Sequence, residues 1–318
     1  MSNALTAPHF QSPENAREWL EKTRWPEGPI CSHCGTFNHA YKTNKPGWYR
    51  CAEAECRKDF TVTTGTVMER SHIALNKWLM AFYLMSASKK GISAHQLHRQ
   101  LGVTYKAAWF MCHRIREAMA GDSFFGPNTG PLGSGGKIVE ADETYFGQVE
   151  NPTPGKARKG RPFTKGGRSG PAGKRAVVAL VERRGRVRTF HPAVADGPTV
   201  AAIVRENIAR EAHLMTDESK LYFQVGWDFA THHTVKHTAG EYVRGIAHTN
   251  TVESYFSVFK RGMKGVYQHC KEKHLHRYLA EFDFRHNHRV ALGCSDIDRT
   301  IAAVKGVAGK RLTYHQTH

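Results

Sequence analysis

The sequence predicts a multidomain α+β protein: a small metal-knit unit, a helical unit, then a mixed sheet flanked by helices. Three observations predict it. Four cysteines sit in two close pairs near the N-terminus, Cys31 with Cys34 and Cys51 with Cys56. A run of helical patterns follows, interrupted by a turn at Gly102. Past a Gly- and Pro-rich stretch the pattern changes to three strands, a helix, another strand and more helices.

Composition narrows the function classes. The chain has 318 residues, of which 40% are hydrophobic, enough for a sizeable core and more than one domain. No apolar run reaches the length of a membrane span, and the start "MSNALTAPHFQSPENAREWLEK" lacks the basic and apolar parts of a signal peptide. The expectation is a cytoplasmic protein with no membrane partner. A formal charge of +18 favours a polyanionic partner, most simply nucleic acid. Seven cysteines, an odd number, argue against a disulfide framework.

The first unit is expected over residues 26–68, after an N-terminal segment of residues 1–25. Cys31 and Cys34 form a C-x2-C knuckle; Cys51 and Cys56 form a wider C-x4-C pair. Two short turns that each deliver two thiolates satisfy tetrahedral Zn2+, and "WYRC" after a Lys-Pro-Gly turn suits a hairpin. This is the pattern of a zinc ribbon whose Zn2+ is structural and supplies much of the folding free energy. His33 and His39 are alternative ligands ranked below the four thiols.

Residues 69–120 read as helices. Trp78, Leu79, Phe82 and Tyr83 have helical spacing. Ser93 opens a short helix with Leu97 and Leu101 inside, Gly102 turns, and Thr104 caps a third helix burying Ala107, Ala108, Met111, Ile115 and Met119. Two short helices across a Gly turn resemble a helix-turn-helix, whose second helix would offer Tyr105, Lys106, Trp109 and His113 to DNA. A plain three-helix bundle is the alternative.

Residues 121–136 read as a linker. In "KIVEADETYFG" the residues Ile138, Glu140, Asp142 and Thr144 share one strand face; Val139, Ala141, Glu143 and Tyr145 share the other. A basic segment within residues 149–175 includes Lys159 and Arg161 and suits a phosphate backbone. A hairpin over residues 176–191, an amphipathic helix in "PTVAAIVRENIAR" and a strand ending at Asp217 follow. The expected sheet unit spans residues 137–290, and residues 291–318 read as a C-terminal tail. The element order fits a ribonuclease-H-like fold.

Phosphodiester cleavage and transfer can use divalent ions held by a few carboxylates. The constellation needed is one carboxylate on a first strand, one after a later strand and one on a following helix. Asp142, Asp217 and Glu253 supply it in order, with about 35 residues between the last two. The stretch "AHTNTVESYFSVFKRG" sharpens the third position. Asn250 and Glu253 are close to a capping box; Val252, Phe256, Phe259 and Met263 form a buried stripe; Glu253, Ser257, Lys260 and Lys264 share another face. Glu253 has the better charge for Mg2+, with Asn250 as cap or auxiliary ligand. The histidines His232, His233, His237 and His248 are read as packing, capping or phosphate contacts, since Mg2+ prefers oxygen. Trp78, Trp109 and the phenylalanines are read as core.

Taken together, "CSHC", "CRKDFTVTTGTVMERSHIALNKW", "KKGISAHQLHRQLGVTYKAAWFMCHRIREAM", "EADETYFG", "TDES", "GEYVRGIAHTNTVESYFSVFKRGMKGVYQH" and "HLHRYLAEFDFRHNHR" resemble a bacterial insertion-sequence transposase with a zinc ribbon and an ISXO-type DDE catalytic domain. The likeness runs from about Pro26 to Arg289. It implies an enzyme that uses Mg2+ or Mn2+ to cut at the ends of its own element and join the freed 3′-hydroxyl to target DNA. It also implies a nucleoid-associated homodimer or larger assembly when on DNA. The family's acids map onto Asp142 and Asp217, and its third position, Glu or Asn followed by Lys, onto Asn250 to Lys260. The wider second cysteine pair departs from the pattern. Two other classes stand against this one: a zinc-ribbon and helix-turn-helix regulator with an inactive C-terminal domain, and a ribonuclease-H-like nuclease that cuts without joining.

Overall fold

A computed structural model describes residues 4–121, 130–148, 173–235, 243 and 245–313. The chain divides into two compact units, Met1–Thr129 with His288–His318, and Gly130–Asn287.

The first unit begins with helices α1 (Pro8–Gln11) and α2 (Pro13–Arg24). Nothing was expected of this segment, yet its signal is local. Ser12 accepts a hydrogen bond from the Asn15 amide and Pro13 sits at the first helical position, where its missing N–H costs nothing. A three-stranded antiparallel sheet follows: β1 (Ala40–Lys42), β2 (Tyr49–Cys51) and β3 (Asp59–Phe60). So small a sheet has little core. Its apolar centre is the cluster of Trp25, Tyr49 and Phe60, with ring centroids 5.5–5.8 Å apart.

Helices α3 (Leu75–Ala87), α4 (Ala94–Leu101) and α5 (Tyr105–Met119) come next. Ser93 and Thr104 cap α4 and α5 through the amides of Gln96 and Ala107, and Gly102 turns between them with φ +59°. Leu97, Leu101, Ala108, Met111, Ile115 and Met119 are buried as expected, while Ala107 is half-buried; the two helices joined across the Gly102 turn are present.

The expected C-terminal tail is instead folded into this unit. Helix α9 (Asp296–Lys305) starts with a capping box between Ser295 and Asp298 and buries Ala302, Ala303 and Val304. Arg299, 6% exposed, donates to the carbonyls of His288 (2.9 Å) and Ser86 (2.7 Å). Past it, Ala308 bridges Thr66, and Arg114 donates to Leu312. The signal "SDIDRTIAAVKG" was a readable capped helix; only its placement is tertiary.

The second unit is built on a five-stranded sheet of order β6-β5-β4-β7-β8. Its strands are β4 (Ile138–Phe146), β5 (Arg175–Glu182), β6 (Val187–Phe190), β7 (His213–Asp217) and β8 (Thr231–Val235). Strands β4, β5 and β6 pair antiparallel; β7 joins β4 in parallel and β8 joins β7 in parallel. That order, with its change from antiparallel to parallel at the central strand, is the ribonuclease-H-like arrangement. Strand β4 is the centre of the sheet, not an edge. Strand β8 was not expected, because "THHTV" carries two histidines where an apolar run would signal a parallel strand.

One face of the sheet packs on α6 (Gly197–Asn207) through Val139, Ala141, Val178, Leu180 and Leu214. The other carries Val177, Ala179 and Val181 against α7 (Asn250–Gly262) and α8 (Leu275–Asn287). Part of the expected linker belongs here: Leu132 is fully buried and exchanges backbone bonds of 2.8 Å with Asn207 and Ala209. Gly133, at φ +80°, allows this approach, since a Cβ there would lie 2.4 Å from Cβ of Ala212.

Helix α7 is fixed to the sheet by one carboxylate. Asn250 is the first residue of α7 and Thr249 is its N-cap, without a side-chain capping bond. The orphan amides of Thr251 and Val252 donate instead to Glu140 Oε2 at 2.7 and 3.0 Å. Asn250 is therefore not the cap; a strand residue from the sheet does that work. Glu140 is fully buried and its other oxygen accepts from Arg183 at 2.5 Å and from the Thr251 hydroxyl at 2.9 Å. Arg183 continues to the carbonyls of Ile246 and His248, both at 2.8 Å.

Two consequences are measurable. Deleting residues 291–318 removes α9 and its seams, so the first unit melts lower and becomes protease-sensitive, read by limited proteolysis of the truncated chain. Replacing Glu140 by Ala leaves buried donors without an acceptor and destabilises the second unit by about 3–5 kcal/mol. Chemical denaturation checks it: a loss below about 1 kcal/mol removes Glu140 as the α7 anchor.

Candidate active site and zinc centre

The zinc centre assembles from the two knuckles. The four Sγ atoms of Cys31, Cys34, Cys51 and Cys56 all lie within 4.8 Å of one another. Cys31 Sγ is 3.8 Å from Cys56 Sγ, and Cys34 Sγ is 3.6 Å from Cys51 Sγ. A tetrahedron with Zn–S bonds of about 2.3 Å has edges of about 3.8 Å, so these spacings fit zinc and are far too long for disulfides. The residue after each second cysteine, Gly35 (φ +78°) or Arg57 (φ +47°), is left-handed, which turns the chain back towards the metal position. The wider C-x4-C loop therefore closes as well as the narrow one. The histidines stand aside: His33 meets the Asp59 carbonyl at 3.2 Å, and His39 meets Glu53 at 3.1 Å.

The acidic site lies at the end of β7 and the middle of β4, just past the point where the parallel pairing between them stops. Parallel pairing sets Glu140 opposite Met215, and two residues further along each strand stand Asp142 and Asp217. Carboxylate oxygens of Asp142, Glu143 and Asp217 lie within 4.8 Å of one another. Asp217 Oδ1 accepts from the Ser219 amide at 3.0 Å, and Asp142 Oδ1 from the Glu143 amide at 2.8 Å. Glu143 accepts from the Ser219 hydroxyl at 3.2 Å. Its place here was not foreseen. The signal was its position next to Asp142 on the same strand.

Electrostatics show what the cluster lacks. Burial, then Asp217, Glu143 and Glu253, push Asp142 up to about 8. Burial, then Asp217, raises Glu143. Two like charges at about 4 Å repel by about 4 kcal/mol at an effective dielectric of 20, and the cluster holds three carboxylates. A divalent cation offsets that repulsion, and an all-oxygen donor set suits a hard ion. The residues present fit such an ion.

The remaining expected site residues divide. Glu253 lies in the first turn of α7, exposed, with its Oε1 accepting from the Thr249 hydroxyl at 2.8 Å. It acts on Asp142 electrostatically but is outside the tight cluster. The stripe of Val252, Phe256, Phe259 and Met263 is buried, which leaves Glu253, Ser257 and Lys264 exposed and Lys260 half-buried on the other side. His232 Nε2 meets the Thr216 hydroxyl at 2.9 Å and His248 Nδ1 lies 3.3 Å from Glu140; His237 lies outside the described residues.

On α5, Tyr105 is 44% exposed, Lys106 is exposed and Trp109 is half-buried. His113 is 1% exposed, which corrects its place among the DNA contacts: the helical repeat turns it onto the inner face. Lys159 and Arg161 lie outside the described residues. Among the phenylalanines expected in the core, Phe223 is 83% exposed.

Among the described residues no helix is long and apolar enough to cross a membrane. Residues 134–287 match the family model described as the ISXO2-like transposase domain, and residues 11–59 match the transposase zinc-ribbon domain. The chain is 29% identical over 287 residues to an uncharacterized protein in transposable element ISH50 of Halobacterium salinarum, covering 87% of this chain and 91% of that one. That relative is archaeal, so the likeness is not confined to bacteria. The chain is also similar to two crystal structures at 12% identity. One is the Mos1 strand transfer complex (66% of this chain, 69% of that chain, TM-score 0.28); the other is a pre-cleavage Mos1 transpososome (67% and 70%, TM-score 0.27). At those scores neither adds to the fold, which rests on the strand order. With a transposase zinc ribbon and an ISXO2-like catalytic domain in one chain, over a sheet that gathers the acidic residues, the protein belongs to the IS1595-type insertion-sequence transposases and is a DDE-type DNA transposase.

Proposed function

We propose that Asp142 and Asp217 hold the catalytic divalent ions, with Glu253 as the third carboxylate, and that the enzyme cuts at the ends of its element and joins them to target DNA. The observation that carries this is the gathering of Asp142, Glu143 and Asp217 on adjacent parallel strands, with Asp142 raised first by burial and then by its acidic neighbours. Mg2+ or Mn2+ bound there would activate the attacking oxygen and stabilise the leaving one.

The chain's own groups do the positioning. Asp142 and Asp217 present oxygens from a rigid sheet. Glu143 adds charge to the same point and its bond to Ser219 holds the β7 exit. Glu140, by seating the start of α7, fixes where Glu253 projects. Lys260, two turns further along α7 and half-buried, is read as the phosphate contact. Asn250 is an auxiliary ligand through its side-chain carbonyl oxygen. The zinc ribbon and helix-turn-helix, with Tyr105 and Lys106 exposed, are suited to hold the duplex, and the charge of +18 supports a DNA partner. Two ends must meet before joining, which supports a homodimer or larger assembly on DNA. A DNA partner supports a cytoplasmic, nucleoid-associated location.

Labelled duplexes carrying the terminal DNA that flanks the reading frame test the reading with Mg2+. Asp142→Asn and Asp217→Asn are expected to lose cleavage and joining by at least about a thousandfold while still binding DNA. Full strand transfer by either variant overturns the assignment. Glu253→Gln is expected to lose more than Asn250→Ala; loss confined to Asn250→Ala moves the third ligand to Asn250. Cuts without joining identify a nuclease, and binding alone a regulator.

Metal binding carries a proton signature. Asp142 must lose its proton to bind a cation, and its raised value of about 8 keeps that proton on at neutral pH. The sign for folding follows: a carboxyl raised in the folded state contributes stability at low pH that is lost as pH rises towards 8. Mg2+ affinity is therefore expected to rise from pH 6 to about 8, with close to one proton released per binding event. Calorimetry in buffers of different ionisation enthalpy reads this. Affinity flat across that range, or unchanged in Asp142→Asn, contradicts it.

A further inference from the structure

Immediately after Asp217 the chain forms a tight loop that displays two aromatic rings. Phe223 is 83% exposed and Trp227 is 94% exposed. Exposing a whole indole forgoes the burial that aromatic residues usually obtain, and two such rings on one loop form an apolar patch rather than a scattered exposure. The loop does not expose them through looseness. Tyr222 (1% exposed) and Val225 (fully buried) anchor it from within, so buried and displayed residues alternate along it. Arg205 of α6 clamps it from outside, donating to Asp228 at 2.8 Å and to the Gln224 carbonyl at 3.0 Å. Short backbone turns close it, from Val225 to Tyr222 (3.2 Å) and from Asp228 to Val225 (3.1 Å).

Both rings line one cleft of 610 Å3, and its walls include Asp217, Lys220 and His232. A catalytic carboxylate and two displayed rings thus share one space. On the reading that Asp217 holds the ion at the reacting phosphodiester, the flat apolar group that the substrate brings beside it is the neighbouring nucleobase. Lys220, exposed at the rim, supplies charge for the flanking phosphate. Stacked bases inside a duplex have no free face. A base must leave the stack to meet these rings.

We propose that Phe223 and Trp227 form a stacking platform for a base rotated out of the duplex next to the scissile phosphate. They are specificity-determining and positioning residues for the DNA end. This rests on the catalytic reading of Asp217 but is tested apart from it.

The probe is the terminal duplex with 2-aminopurine at successive positions around the cleavage point, bound in Ca2+ so that no cutting is needed. One position is expected to change its fluorescence on binding the full-length protein, and Trp227→Ala is expected to abolish the change while Trp227→Phe keeps it. In Mg2+, Trp227→Ala is expected to cut the paired duplex about tenfold or more slowly. An abasic site opposite the flipped base is expected to recover most of that loss, a rescue that a merely structural role would not give. Since Trp227 is exposed, its replacement leaves the core intact, and Phe223→Ala repeats the test independently. Wild-type cutting by both variants with an unchanged fluorescence signal overturns the proposal. So does a slowing that appears alike on paired and abasic duplexes with a smaller assembly in sedimentation, which makes the surface a protein interface. If the wild type gives the fluorescence change but never cuts, the catalytic reading fails and the platform stands.

Discussion

The register between β4 and β7 is the constraint on which the second unit depends. With Glu140 opposite Met215, Asp142 in mid-strand and Asp217 at the end of β7 come level, two residues past the last β4–β7 pair. Side chains alternate across a sheet, so a slip of one residue would turn either carboxylate to the wrong face. The apolar residues on both faces forbid that slip. Val139, Ala141 and Leu214 must meet α6, while Ile138 and Met215 pack on the opposite side. Hydrophobic packing thus holds together carboxylates that electrostatics would drive apart, and Asp142 is raised first by its burial and then by that crowding.

The same face of β4 carries a second acid with the opposite fate. Glu140 and Asp142 are two residues apart and share a face. Glu140 is buried, charge-paired with Arg183 and saturated by helix amides. Asp142, two residues on and past the last pair with β7, sits among other acids. One carboxylate therefore holds the framework and the next is left for chemistry. Neighbouring groups, rather than residue type, separate the two roles. By seating α7, Glu140 also links the sheet to the helix from which Glu253 projects.

In the first unit the division of labour differs. The ribbon has a cluster of three aromatic rings and four thiols, too little for a fold without metal. The helices around α4 and α5 are held by ordinary packing and by α9, a segment from the far end of the chain.

The sequence by itself determined the local pieces. Cysteine spacing marked the zinc ligands, and Ser93, Gly102 and Thr104 marked two capped helices across a turn, because caps, turns and knuckles are decided within a few residues; strand patterning singled out Asp142 and Asp217 as acids among strand residues. The tertiary structure alone decided which distant groups meet. It replaced Asn250 by Glu140 as the cap of α7, brought Glu143 into the acidic cluster, turned His113 inward and drew the C-terminal segment into the first unit. It also revealed β8 and the displayed Trp227. Each of these depends on pairing between elements far apart in the chain, where burial and charge are set by neighbours that local sequence does not name.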